Sequence, residues 1–285
     1  MTPVFRFAPS PTGRLHLGHA LSAACVWRAA AEARGRVLLR IEDIDPARTK
    51  PEFVDGVFED LAWLGFAWEE PPRRQSAHMA DYRRALDALE ARGLLYPCRL
   101  ARSEIAAASA RAEADLGRPW PRDPDGAPRL PVPGVAGGER QGPAALRLDM
   151  GAAIAAAGAE PLGWFELGEG PAGETGSVPA RPQDWGDVIL ARKDTPTSYH
   201  LAVVVDDALQ GVTHVVRGQD LFHATSIHRL LQRLLGLPAP AYRHHRLMAD
   251  ADGLKLAKTR GSTSIASLRA AGWTPDDVFA AIGAH

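Results

Sequence analysis

Apolar positions alternate over residues 4–8, break at the Pro/Gly-rich stretch 9–13, and then recur at helical spacing through an alanine-rich run at 17–34 that stops at Gly35. Residues 37–41 form a second apolar run of strand length. Strand, helix, strand in this order predicts the opening unit of a parallel α/β sheet with a right-handed crossover, a sheet that binds ligands beyond the carboxyl ends of its strands. Two further helices are expected at 51–64, with Pro51 in the first turn, and at 79–92; Gly65 and Gly93 end them. Residues 188–191, 200–205 and 214–216 read as buried or half-buried strands, and 224–235 as a helix. A short strand at 246–248 leads to a lysine-bearing loop, and 264–285 holds two small helical pieces. Prolines and glycines dominate 117–142, and together with the loose region 151–182 this reads as an insertion with long loops outside the central sheet.

With 285 residues, 46% hydrophobic and 24% charged, the chain can bury a full core and is not a disordered one. The formal charge of −1 excludes a protein that coats DNA nonspecifically, and leaves room for a nucleic-acid partner on a local basic patch. Two cysteines, Cys25 and Cys98, make no disulfide framework and suit a reducing compartment. No apolar run approaches the length of a spanning helix, and the first ten residues lack a basic start followed by an apolar stretch. The expectation is a cytoplasmic protein without a membrane partner.

Candidate chemistry concentrates at the two ends. His16 and His19 stand three apart at the expected helix start, so their imidazoles share one face. Gly18 between them leaves room for a flat group to approach the backbone, and a bare helix N-terminus offers amides to phosphate. The bland alternative is a pair of polar first-turn histidines. Lys255 and Lys258 sit on a glycine-bracketed loop, and only four of the 33 basic residues are lysines. A compact ammonium on a flexible stem follows a moving phosphate better than a guanidinium fork does, although a solvated basic loop would look the same. Arg6 and Arg217 interrupt apolar strands, and Glu42 with Asp43 closes the strand 37–41. Buried charges of this kind need a partner, so they either meet a ligand carrying carboxylate and ammonium groups, such as an acidic amino acid, or form structural ion pairs at strand ends. Cys98 has no second cysteine or nearby histidine to complete a metal site, so no metal is expected.

These residues resemble the class I aminoacyl-tRNA synthetases: His16-Leu-Gly-His19 is similar to the family's HIGH signature, and Lys255-Leu-Ala-Lys-Thr259 to its KMSKS loop. The segments Arg6 through Gly13, Arg40 through Arg48, Asp187 through Asp194, Tyr199 through Asp207 and Thr213 through Leu221 resemble the glutamyl branch. Fewer than about 50 residues follow Lys258, too few for a further domain, so the resemblance is closer to the truncated glutamyl-Q tRNA(Asp) synthetase paralogues. It implies a Rossmann-like parallel sheet with an inserted α/β subdomain and a short helical C-terminal piece. The catalytic domain would then occupy 1–95 and 184–248, the insertion 96–183, and the lysine loop with C-terminal helices 249–285.

The resemblance further implies a monomer that, with ATP and Mg²⁺, activates L-glutamate to glutamyl-adenylate and transfers it to queuosine at the wobble position of tRNA(Asp). Its alternatives are a glutamyl-tRNA synthetase that charges a conventional acceptor end and a catalytically inactive tRNA-binding paralogue. Arg6, Ala8, Ser10, Glu42, Tyr199 and Arg217 would line the glutamate pocket. His16, Gly18, His19 and Lys258 would hold ATP, and His16, His19, Lys255 and Lys258 would serve catalysis. Members of that family often hold zinc through three cysteines and a tyrosine; here Cys98 is the sole counterpart, and residues 99–142 contain neither tyrosine nor cysteine. Because Lys258 is expected to act on charge that develops as pyrophosphate leaves, Lys258→Ala should lower the rate of glutamate-dependent pyrophosphate exchange by about 10- to 100-fold while the KM for glutamate stays nearly constant. A raised glutamate KM with an unchanged rate would contradict that role.

Overall fold

The computed structural model describes residues 2–130, 142–248 and 263–283. Strand β1 (Val4–Phe7), helix α1 (Leu17–Glu32), strand β2 (Arg36–Ile41), helix α2 (Pro51–Trp63) and strand β3 (Glu69–Arg74) form the opening parallel unit, with strand order β1-β2-β3. Phe5 and Phe7 on β1 and Leu39 and Ile41 on β2 pack with Ala23, Val26 and Ala30 of α1 and Val57 and Leu61 of α2. Each such large apolar side chain contributes roughly 1.5–3 kcal/mol when fully buried. The return from α1 is tight: Arg34 takes a left-handed φ of 51°, and a Cβ on Gly35 would lie 2.7 Å from the Phe5 ring and 2.8 Å from the Pro3 carbonyl. Strand β3 (Glu-Glu-Pro-Pro-Arg-Arg) carries no apolar periodicity to announce it, and its prolines are tolerated because it lies at the sheet edge.

Next come helix α3 (Met79–Glu90), strand β4 (Leu95–Cys98), helix α4 (Arg102–Leu116), strand β5 (Ala145–Leu148), helix α5 (Met150–Ala157), strands β6 (Gly163–Glu166), β7 (Gly176–Pro179) and β8 (Ile189–Ala191), and helix α6 (Tyr199–Leu209). Strand β9 (His214–Gly218), helix α7 (Thr225–Leu235), strand β10 (Ala241–His245) and helices α8 (Ile265–Ala270) and α9 (Pro275–Ile282) complete the described chain. Strands β4, β5 and β8 make a small antiparallel sheet, and β7-β6-β10-β9 a larger mixed one in which β10 is parallel to both β6 and β9. The latter lies against the first: the Thr213 amide donates to the Val4 carbonyl at 2.9 Å, and Arg6 on β1 reaches the Val216 carbonyl on β9. From β1 the chain winds outward to β2 and β3 on one side, and later to β9 and β10 on the other. The crevice between the ends of β1 and β9 is therefore a topological switch point, where such sheets place their ligands.

Three sequence expectations change. Residues 200–205 belong to α6, not to a strand, because Leu201 through Asp207 are all buried and a run covered on every face has no period to separate helix from strand. No strand forms at 246–248; the strand there ends before it, as β10. The region 151–182, read as lying outside the central sheet, contributes β6 and β7, with Glu166 paired to Tyr242 of β10.

A buried ionic cluster ties these layers together. Arg40 on β2, fully buried, donates to Asp207 Oδ1 at 2.7 Å and Glu42 Oε1 at 3.3 Å, with Asp206 at 3.8 Å. Burial opposes its charge, but the three carboxylates outweigh that and raise its pKa. Asp206 also accepts from Arg73 on β3, Gln75 and the Tyr82 hydroxyl on α3, each at 2.8 Å. Arg40→Met should cost about 3–5 kcal/mol in urea unfolding, because it strands carboxylates that have no water. A cost below about 1 kcal/mol would show that the cluster does not hold β2 to α6.

Candidate active site

A cavity of about 550 Å³ opens at the switch point, and all the described candidates, Arg6, Ala8, Ser10, His16, Gly18, His19, Glu42, Tyr199 and Arg217, line it. Lys255 and Lys258 lie outside the described residues. The segment that carries them departs from Met248, in the cavity wall, and the chain is described again near Ser264, which bridges to His16. The Ile265 amide donates to the Leu15 carbonyl at 2.8 Å, which fixes that return beside the histidines.

The histidine pair builds its own cap. His16 is the N-cap of α1; its Nδ1 accepts from the Gly18 amide at 3.1 Å, and His19 Nδ1 accepts from the His16 amide at 3.1 Å. The amides of His19 and Ala20 bond to the His16 carbonyl. Two expectations are corrected here. The helix N-terminus is not bare, and the space above Gly18 is taken by the His16 ring, whose Cε1 would lie 3.0 Å from an added Cβ. Since both Nδ1 atoms accept, the neutral rings carry their protons on Nε2. With centroids 3.9 Å apart, they form a two-imidazole unit.

The two arginines differ. Arg6 is paired: its Nε donates to Asp207 Oδ1 at 3.2 Å and its Nη1 to the Val216 carbonyl, so the strand-end ion-pair alternative describes part of its role. Arg217, at 5% exposure, has no carboxylate within salt-bridge distance among the described residues. Its Nε meets His244 Nε2 at 3.1 Å, its Nη1 His228 Nδ1 at 3.1 Å, and its Nη2 the Leu221 carbonyl at 3.1 Å and Thr225 Oγ1 at 2.7 Å. The guanidinium also stands 5.2 Å from the Tyr242 ring centroid. Four of its five N–H groups are thereby engaged, all by neutral acceptors, and the cation is left in need of an anion.

Around it, Tyr199 opens α6, and burial pushes its hydroxyl up to about 12, so it remains a phenol and a donor. Burial also raises the Glu42 carboxyl, against the pull of Arg40 and Arg6. The loop between β1 and α1 is joined to the end of β2 by the Glu42 amide donating to the Pro9 carbonyl at 3.1 Å. This holds Ala8 and Ser10 opposite Glu42. Cys98 is buried on β4, and among the described residues no group of three or more His, Cys, Asp or Glu side chains is placed to hold a metal.

The family model for tRNA synthetases class I (E and Q), catalytic domain, matches residues 4–284. The chain belongs to that family. Among its relatives, a glutamyl-Q tRNA(Asp) synthetase of Rhodobacter capsulatus is 47% identical across 98% of this chain and 99% of its own length. A protein of the same name from Nitratidesulfovibrio vulgaris is 41% identical across 94% and 81%. A solved glutamate tRNA ligase from Elizabethkingia meningosepticum, in complex with its amino acid, superposes with a TM-score of 0.69 at 25% identity; the match covers 92% of this chain and 53% of that one. The chain thus spans about half the length of that ligase. Class I membership brings ATP as a substrate of the family's catalytic domain.

Sequence reasoning missed the side chains behind Arg217. His244 and Glu166 occupy inward positions of alternating strands, β10 and β6, where an apolar residue is the ordinary choice. That misplacement was the available signal. Burial holds His200 and His244 down to about 4, and His228 well below its ordinary value, with Arg217 adding to the shift. The unfolded chain therefore binds more protons than the folded one below pH 6.5. Stability should be complete above pH 6.5 and fall as pH drops toward 4, by up to about 1.4 kcal/mol per pH unit for each histidine; Glu42, whose shift has the opposite sign, offsets part of the loss near its own range. Urea unfolding at pH 7.5 and 5 checks this, and equal stabilities would contradict the neutral-imidazole arrangement.

Proposed function

We propose that the chain activates L-glutamate with ATP and transfers it to the queuosine base at the wobble position of tRNA(Asp). The observation that carries the reading is Arg217, a buried guanidinium that meets only neutral acceptors among the described residues and lines a cavity shared with Tyr199, Glu42 and the histidine pair. A side-chain carboxylate supplies the missing anion. Tyr199 adds a donor, Glu42 and the loop at Ala8 and Ser10 receive the ammonium end, and Arg6, anchored on Asp207, borders the same space. The relatives named above at 47% and 41% identity point to the same amino acid and acceptor.

The reaction joins the α-carboxylate oxygen of glutamate to the α-phosphorus of ATP as the bond to pyrophosphate breaks. Mg²⁺ bound to the nucleotide would neutralise charge on its phosphates. His16 and His19 donate through Nε2 to phosphate oxygens, while Lys255 and Lys258 act on the departing pyrophosphate. Positioning and fixed dipoles supply most of the acceleration. In the second step a queuosine hydroxyl attacks the activated carbonyl and releases AMP. The same reading makes the protein a cytoplasmic monomer; no helix among the described residues is long and apolar enough to cross a membrane.

Incubation with ATP, labelled glutamate and tRNA(Asp) with or without queuosine tests the acceptor. Label should appear on the queuosine-containing tRNA alone. Label on tRNA(Glu), or equally on both tRNA(Asp) forms, would reverse the assignment in favour of a glutamate tRNA ligase. Absence of glutamate-dependent pyrophosphate exchange would indicate an inactive tRNA-binding paralogue.

A further inference from the structure

Behind Arg217 stands a relay that the reaction itself does not touch. Glu166 is completely buried and saturated: Oε1 accepts from the amides of Gly168 (2.9 Å) and His244 (2.8 Å), while Oε2 accepts from His244 Nδ1 (2.7 Å) and Trp164 Nε1 (3.2 Å). A carboxylate offers no proton, so His244 must carry its own on Nδ1, which leaves Nε2 as a lone pair toward Arg217 Nε. On the other flank, His228 Nδ1 faces Arg217 Nη1 and its Nε2 lies 3.2 Å from His200 Nδ1. Arginine can only donate, so the proton of His228 sits on Nε2 and points at His200. Both imidazoles thus present acceptors to the guanidinium, and its remaining Nη1 proton is left for a ligand.

We infer that Glu166 and His244 are positioning residues for amino-acid recognition: Glu166 fixes the His244 tautomer, and His244 in that tautomer aims Arg217 at the glutamate carboxylate. The inference rests on the reading of Arg217 as the glutamate anchor. Glu166→Gln is nearly isosteric yet reverses the relay. A Gln whose carbonyl keeps the two backbone amides turns its NH₂ toward His244 Nδ1, so the imidazole proton moves to Nε2 and confronts the Arg217 N–H. The misdirected cation then loses hold of the amino acid but not of the nucleotide.

Two measurements test this. In pyrophosphate exchange, Glu166→Gln should raise the KM for glutamate on the order of 10- to 100-fold, the scale of one charge-assisted contact, with the KM for ATP within about twofold of wild type. A glutamate KM unchanged in the folded variant, or equal losses toward both substrates, would overturn the inference. The second uses the wild-type protein, so a variant that fails to fold does not leave the question open: ¹⁵N-detected imidazole correlations should show His244, assigned by the signals lost in His244→Gln, protonated on Nδ1. Protonation on Nε2 would overturn the relay whatever the substrate proves to be. Loss of glutamate-dependent exchange in the wild type would instead overturn the functional reading alone.

Discussion

A cation buried without its counterion is the constraint around which this molecule is arranged. Moving a guanidinium out of water is costly, and the usual remedy is a paired carboxylate. Arg40 and Arg6 take that remedy through Asp206, Asp207 and Glu42. Arg217 does not; two imidazoles, a carbonyl and a hydroxyl satisfy its geometry without cancelling its charge. Glu166 is kept one residue away behind His244, where it orders the ring without neutralising the guanidinium. A site built this way favours a ligand that carries the anion in.

The fold makes the arrangement possible. Strands β1 and β9 run side by side, and their ends deliver Arg6 and Arg217 into one crevice. Helix α1 starts over that crevice, so its two capping histidines face the same space. Helix α6 serves both halves, with Tyr199 at its start in the cavity and Asp206 and Asp207 at its other end in the buried cluster. Backbone topology thus brings the arginines, Tyr199 and the capping histidines to one crevice.

The opening β1-α1-β2 unit was legible because its signals were local: an alternating strand, a Pro/Gly break, an alanine-rich helix and a stop at Gly35. Two of the candidates that line the cavity were legible for a related reason, since Arg6 and Arg217 violate the apolar pattern of the strands that carry them. Helix α6 was misread because a segment buried on all sides has lost the polar face that reveals a period. Strand β3 was missed because an edge strand need not be apolar. Roles set by long-range pairing were out of reach altogether: Asp207 meeting Arg6 across about 200 residues, or Glu166 meeting His244, leaves no trace in spacing. The crowding of Gly18 by its neighbour's own imidazole is likewise a fact of three-dimensional packing.

The central claim is that Arg217 keeps one Nη1 donor and an uncancelled charge for the side-chain carboxylate of an amino acid. A crystal structure with glutamate bound tests it most directly. The account predicts a glutamate carboxylate oxygen within hydrogen-bond distance of Arg217 Nη1, with the His244 and His228 contacts retained; glutamate bound elsewhere in the cavity, with no oxygen near that nitrogen, would contradict it.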